Sequence, residues 1–148
     1  MKQQYNLLLA DDDEDDCDFF KEALDELLLP TSLVTVNDGV QLMDFLSESG
    51  AENLPDILFL DLNMPRKNGL ECLTEIKQLE EYKNLPVIIF STSLDRDIVD
   101  LVYGKGAVYY IQKPGEFSKL KKVIGSALNI ASESNFKQPA RENFILQP

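Results

Sequence analysis

ILFLDLNMP, at residues 57–65, is the stretch that decides the fold. Its first four residues are apolar without interruption, which is typical of a strand buried on both faces of a parallel sheet. The run stops at a carboxylate, Asp61, after which Pro65 and Gly69 indicate a loop. A helix is predicted over residues 70–79. The stretch therefore predicts a strand–loop–helix unit with an acidic residue at the end of the strand.

Four further segments repeat this alternation of a short apolar run and an amphipathic stretch. Parallel strands joined by crossover helices produce such a rhythm. The predicted strands cover residues 7–10, 33–36, 57–60, 87–90 and 108–111. The predicted helices cover about 19–28, 40–46, 70–79, 95–103 and 116–132. We therefore expect an α/β fold built on a doubly wound parallel sheet.

Length and composition indicate one domain. A chain of 148 residues with 44% hydrophobic content is long enough to bury a core without disulfides. We expect this domain to span residues 4–132. Residues 133–148 are more polar and contain proline, so we expect a C-terminal tail of uncertain order there.

The charge balance bears on partners and location. The 26 acidic residues against 14 basic ones give a net charge of -12, which repels nucleic acid and anionic membranes. Cys17 and Cys72 lack metal-binding spacing and are interpreted as packing residues in a reducing compartment. No stretch approaches the ~20 apolar residues of a membrane span, and no signal-peptide pattern opens the chain. We expect a cytoplasmic protein that binds neither nucleic acid nor membrane.

Polar residues stand at the predicted carboxyl ends of four strands: Asp11 with Asp12, then Asp61, Ser91 and Lys113. Ligands of an open parallel sheet bind at this edge. Three neighbouring carboxylates favour a hard cation, and Mg²⁺ prefers oxygen ligands. A carboxylate can also attack phosphorus to form an aspartyl phosphate, and Asp61 is the candidate nucleophile. Lys113 would pair with the phosphoryl charge, and Ser91 would donate a hydrogen bond to a phosphoryl oxygen.

The motifs at these positions resemble the response-regulator receiver family. They are LLLADD at residues 7–12, DLNMP at 61–65 followed by a glycine, VIIFS at 87–91 and YIQKP at 110–114. Each motif alone is common, but their joint order and spacing are specific. The resemblance covers roughly residues 6–132. It implies the flavodoxin-like sheet of five parallel strands, order 2-1-3-4-5, with five helices.

The resemblance implies a role for each site residue in a two-component phosphorelay. Asp61 would accept a phosphoryl group from the phosphohistidine of a sensor histidine kinase or a histidine phosphotransfer protein. Slow self-catalysed dephosphorylation would follow, so that the protein is a switch and not an enzyme. Mg²⁺ would be bound directly by Asp12 and Asp61, through water by Asp11, and by the backbone carbonyl of Asn63.

The resemblance also implies how the signal leaves the site. Ser91 would move toward the phosphoryl group, and Tyr110 would follow by turning its ring inward. The altered face would comprise the fourth helix, fifth strand and fifth helix, and it would control an unknown downstream protein or onward transfer. The Lys113–Pro114 bond would be cis. The run of three hydroxyl residues at positions 91–93 resembles the corresponding run in small, single-domain regulators that are paired with phytochrome-type kinases. Such a protein would be a monomer or a phosphorylation-linked homodimer.

Two alternative functions fit these residues less well. A magnesium-dependent phosphatase of the haloacid dehalogenase type, with an aspartyl nucleophile, needs a second aspartate two residues further on, where this chain has Asn63. A receiver-like binding module that works without phosphorylation would not need Asp61, Ser91 and Lys113 together.

Some neighbouring residues have an interpretation that needs no function. Tyr110 could be a packing tyrosine. The acidic residues that follow Asp12 are interpreted as helix-start charges, which the helix macrodipole favours. They are Asp13, Glu14, Asp15, Asp16 and Asp18.

Overall fold

The structure, a computed structural model, describes residues 4–133 and 136–148. The strands are β1 (Tyr5–Ala10), β2 (Thr31–Val36), β3 (Ile57–Leu60), β4 (Val87–Ser91), β5 (Tyr109–Gln112) and β6 (Ile145–Leu146). The helices are α1 (Glu14–Glu26), α2 (Gly39–Ser49), α3 (Gly69–Gln78), α4 (Arg96–Gly104) and α5 (Phe117–Glu133). Short 3-10 turns lie at Ala51–Asn53 and Arg141–Asn143. Strands and helices alternate through β5 and α5, as the sequence predicts.

All strand pairs are parallel, and the sheet order is β2-β1-β3-β4-β5-β6. The predicted order 2-1-3-4-5 and the five helices are confirmed. The prediction of five strands was one short, because β6 adds to the outer edge of β5. Its two residues, Ile145 and Leu146, pair with Tyr110 and Ile111.

The core lies in two layers, one on each face of the sheet. Successive strand residues point to opposite faces. Leu8 and Leu58 therefore face a cluster supplied by α2, α3 and α4, whereas Leu7 and Phe59 face α1 and α5. Phe59 packs edge-on against Phe20 of α1, with ring centroids 4.9 Å apart. Helices on both faces make the sheet doubly wound and explain why β3, at its centre, is apolar and buried throughout.

Polar side chains set where the helices begin. The Asp13 carboxylate accepts hydrogen bonds from Asp15 N and Asp16 N at the start of α1, which confirms a helix-start role for Asp13. Asn68 forms a capping box with Glu71 at the start of α3. At its other end α1 stops at Glu26, two residues short of the predicted end.

Gly69 allows α3 to begin directly against the end of β3. A Cβ atom at this position would lie 2.1 Å from the carbonyl oxygen of Asp61, so no side chain fits. The Gly69 N–H donates to the carbonyl of Leu62 at 3.0 Å. The glycine thus fixes the loop that carries Asp61.

Residues 136–148, which we call the C-terminal strap, pack against α4 and β5. Phe144 is fully buried, and its ring meets the rings of Tyr103 and Tyr110 edge-on. Its carbonyl accepts the N–H of Tyr110 at 3.0 Å. Arg141 Nε also lies 2.6 Å from Asp100 Oδ1 on α4. The strap therefore lies along one side of the predicted output face.

The Lys113–Pro114 bond is trans and not cis as expected, since residues 4–133 and 136–148 contain no cis peptide bond. The trans form is the lower in energy for most X–Pro bonds.

None of the helices within residues 4–133 and 136–148 is long and apolar enough to cross a membrane.

Candidate functional site

The structure brings the predicted strand-end residues together at one edge of the sheet. Asp11 follows β1, Asp61 follows β3, and Lys113 follows β5. Lys113 Nζ lies 2.8 Å from Asp11 Oδ2 and 3.4 Å from Asp61 Oδ2. Asp11 and Asp61 are buried, and the Lys113 side chain is only 9% exposed. A cation and two carboxylates from three separate strands thus share one enclosed site.

The carboxylates of Asp11, Asp12 and Asp61 form a cluster suited to a metal ion. Each supplies an oxygen, and these oxygens lie within 4.8 Å of one another. Asp12 is exposed and opens the cluster to solvent. The buried Oδ2 of Asp11 pairs with the Lys113 charge but has no aligned hydrogen-bond donor within the described residues. An incompletely satisfied buried oxygen beside two further carboxylates fits a hard divalent cation.

Burial and the charges of neighbouring groups shift the pKa values of the site residues. Burial raises the pKa of Asp61 to about 6, and the Asp11 charge adds to this effect, while Lys113 opposes it. The pKa of Asp11 is also raised, chiefly by burial. Burial acts to lower the pKa of Lys113, but contacts with Asp11 and Asp16 and the charge of Asp61 outweigh it and raise the pKa. Lys113 is therefore a permanent cation here.

Asp16 is a member of this site that the sequence analysis missed. Its Oδ2 accepts a hydrogen bond from Lys113 Nζ at 2.9 Å. The interpretation as a helix-start charge was incomplete for this residue. Nothing in the sequence distinguishes Asp16 from neighbouring acids such as Asp13 and Asp15.

Ser91 and Tyr110 form a buried pair next to the cluster. Ser91 is fully buried at the end of β4, and its Oγ accepts the N–H of Ser93 at 3.2 Å. The Tyr110 ring is fully buried, and its hydroxyl donates to the carbonyl of Ser93 at 2.7 Å. Burial raises the pKa of Tyr110, and a hydrogen bond with Ser91 partly offsets this. Tyr110 is thus already in the inward position.

A cavity lies against Asn63, in the loop after β3, and Ser91, at the end of β4. This cavity of about 250 Å³ is lined by Asn63, Asn68, Ser91 and Ser93 together with the apolar side chains of Leu62, Leu70 of α3 and Ile98 of α4. Asn63 is exposed, and its N–H donates to Asp61 Oδ1 at 3.4 Å. The role of the Asn63 carbonyl as a metal ligand stays a prediction.

Comparison with known proteins gives this arrangement a family. Residues 7–125 match the family described as "Response regulator receiver domain". The chain belongs to this receiver family. Among curated relatives, "Response regulator Rcp1" of Synechocystis sp. is 34% identical over 121 residues, which cover 80% of this chain and 82% of that protein.

Solved receiver structures agree with this fold. The phosphorylated cyanobacterial phytochrome response regulator RcpA superposes with a TM-score of 0.77 at 33% identity, covering 93% of this receiver and 99% of RcpA. The Mn²⁺-bound form of Rcp1 superposes with a TM-score of 0.77 at 31% identity, covering 92% and 99% of the two chains.

Membership sets the general function of this receiver. Receiver domains belong to two-component signalling and interact with histidine kinases or phosphotransfer proteins and with downstream targets. They bind a divalent metal at a cluster of aspartates, and the cluster of Asp11, Asp12 and Asp61 corresponds to it in chemistry.

Proposed function

We propose that Asp61 accepts a phosphoryl group from the phosphohistidine of a sensor histidine kinase or a histidine phosphotransfer protein. The observation that carries this proposal is the position of Asp61, buried between two further carboxylates and 3.4 Å from the Lys113 ammonium. We propose Mg²⁺ as the metal, held directly by Asp12, Asp61 and the carbonyl of Asn63 and through water by Asp11.

Each residue of the site has a separate role in phosphoryl transfer. An Asp61 carboxylate oxygen bonds to phosphorus while the P–N bond of the donor breaks, and the electron pair returns to the histidine ring. Mg²⁺, when bound, neutralises charge on the transferring oxygens. Lys113 provides a second positive charge, and the Ser91 hydroxyl donates a hydrogen bond to a phosphoryl oxygen.

Transmission runs from Ser91 to Tyr110. Movement of the Ser91 hydroxyl toward the phosphoryl group alters its contacts with Tyr110 and Ser93. Because the Tyr110 ring also meets Phe144, the change reaches the strap as well as the α4-β5-α5 face. This composite surface is the output that controls a downstream protein or onward transfer.

The protein acts as a switch with slow self-catalysed dephosphorylation and not as a turnover enzyme. Asn63 occupies the position where an aspartyl phosphatase needs a second carboxylic acid, and no other described carboxylate joins the cluster of Asp11, Asp12 and Asp61. The exposed amide of Asn63 cannot donate a proton as an acid does.

Likeness to RcpA and Rcp1 supports a phytochrome-type kinase as the phosphodonor. The protein is located in the cytoplasm, and its two free, buried cysteines are consistent with the reducing conditions there. The switching unit spans residues 4–132, with residues 133–148 as an appended segment, and the protein is either a monomer or a homodimer linked to phosphorylation.

Acetyl phosphate tests the proposal. With Mg²⁺ the protein should gain the mass of one phosphoryl group, and Asp61→Asn should not gain it. Asp44→Asn, which removes an exposed carboxylate on α2, should behave as the wild type. Uptake by Asp61→Asn, or sustained turnover of phosphate esters by the wild type, would contradict it.

A further inference from the structure

Asp16 reaches the site from helix α1 and not from a strand end. Its Oδ2 lies 2.9 Å from Lys113 Nζ, closer than the 3.4 Å from Asp61 Oδ2 to the same nitrogen. The Asp16 side chain is 36% exposed, whereas that of Lys113 is 9% exposed. Asp16 therefore covers the ammonium on its solvent side.

The turn that holds Asp11 also fixes Asp16. Asp13 N donates to Asp11 Oδ1 at 3.0 Å, and Asp13 Oδ1 accepts the N–H of Asp16 at 3.2 Å. A continuous set of hydrogen bonds thus joins the end of β1 to the first turn of α1. The backbone that carries the Asp16 carboxylate is therefore linked by hydrogen bonds to the turn that carries Asp11.

We propose that Asp16 is a positioning residue that holds the Lys113 ammonium beside Asp61 during phosphoryl transfer. The proposal rests on the proposed function of Asp61. Three carboxylates surround Lys113, but two of them, Asp11 and Asp61, belong to the metal cluster. Asp16 lies outside that cluster, so its oxygen stays with the lysine when Asp61 binds the metal directly and Asp11 binds it through water.

The donor count of lysine allows this arrangement. An ammonium has three N–H donors. One can remain on Asp16 while another turns to a phosphoryl oxygen, and Lys113 keeps all its protons throughout. A side chain held in place before reaction loses less freedom in the transition state, so transfer is faster.

The test compares Asp16→Asn with Asp15→Asn, which makes the same charge change at an exposed position of the same turn. The phosphodonor is phosphoramidate: its P–N bond breaks, the new O–P bond forms on Asp61, and the nitrogen leaves as ammonia after taking a proton. At saturating Mg²⁺, Asp16→Asn should slow uptake by about three- to tenfold relative to Asp15→Asn. Asp16→Glu, which retains the carboxylate, should recover most of the rate.

Two further readouts separate positioning from a structural or metal-binding role. The NMR signal of the Lys113 ammonium in Mg²⁺-free protein should be lost or broadened in Asp16→Asn and retained in Asp15→Asn. The Mg²⁺ dissociation constants of the two variants, measured by calorimetry, should agree within about twofold. Thermal unfolding of each variant checks that it is folded.

Equal rates for the two asparagine variants at saturating Mg²⁺ would overturn the proposal, even where Asp16→Asn is the slower at low Mg²⁺. An unchanged Lys113 signal in Asp16→Asn would also overturn it. If the wild-type protein takes up no phosphoryl group, the proposed function of Asp61 fails instead, and the Lys113 signal still decides the Asp16 contact.

Discussion

At the scale of single residues, Asp61 combines burial with the need for a negative charge. It is 4% exposed, and its pKa is raised from 3.8 to about 6 by burial first and the Asp11 charge second. In its proposed role as a nucleophile the Asp61 carboxylate must be ionised, so the fold would have to hold a charge that burial disfavours. Lys113 offsets part of this cost. Buried charges of this kind concentrate at functional sites.

The first prediction is that Asp61→Asn stabilises the protein at neutral pH in the absence of metal. Between pH 3.8 and 6 the native state retains a proton that the unfolded chain has released, so stability falls as pH rises through this window. Removing the carboxylate should therefore raise the free energy of unfolding by about 1–3 kcal/mol at pH 7.5, and by about half as much at pH 5. Urea denaturation in EDTA measures both values.

The exposed variant Asp44→Asn is the control and should change stability little at either pH. A loss of stability in Asp61→Asn at pH 7.5, or a gain that is equal at both pH values, would contradict the assigned cost of the buried charge.

At the scale of elements, the C-terminal strap contains the one strand of the sheet, β6, that the sequence did not predict. Each of the other five strands contains a short run of mainly apolar residues and is followed by an amphipathic helix, and this alternation predicted each of them. β6 has only two residues and no helix of its own, so no periodicity marks it. Phe144 contributes a fully buried ring through contacts with Tyr103 and Tyr110, which are distant in sequence. Only the folded chain reveals such a contact.

The second prediction concerns Phe144→Ala. Loss of a buried phenylalanine costs about 3–5 kcal/mol, and here the cost should appear as opening of the strap. The Tyr110 N–H, which donates to the Phe144 carbonyl, should exchange with solvent about a hundredfold faster or more. The Leu58 N–H, bonded to Pro86 in the centre of the sheet, should change much less. Hydrogen-exchange NMR measures both.

Phe19→Ala is the matched control, because Phe19 is 40% exposed on α1. It should leave exchange of the Tyr110 amide unchanged. Equal protection of that amide in wild type and Phe144→Ala would show that the strap does not cover β5.

At the scale of the whole molecule, the sheet explains why so much of the site was predictable. The carboxyl ends of parallel strands meet at one edge, so Asp11, Asp61 and Lys113 could be placed together from strand order alone. Asp16 could not, because its contact depends on how α1 is turned relative to β5. The contact between Tyr110 and the strap could not be predicted either, because β6 has no periodic pattern of apolar residues. Sequence therefore predicted what the sheet positions and missed what helix rotation and the chain end contribute.

The measurement that tests the central claim most directly locates the phosphoryl group itself. Borohydride reduces an acyl phosphate to an alcohol, which converts a phosphorylated aspartate to homoserine. After treatment with acetyl phosphate and Mg²⁺, then borohydride, tandem mass spectrometry should find homoserine in place of Asp61 and at none of the aspartates of residues 11–18. Homoserine at another aspartate, or at none despite bound Mg²⁺, would contradict the account.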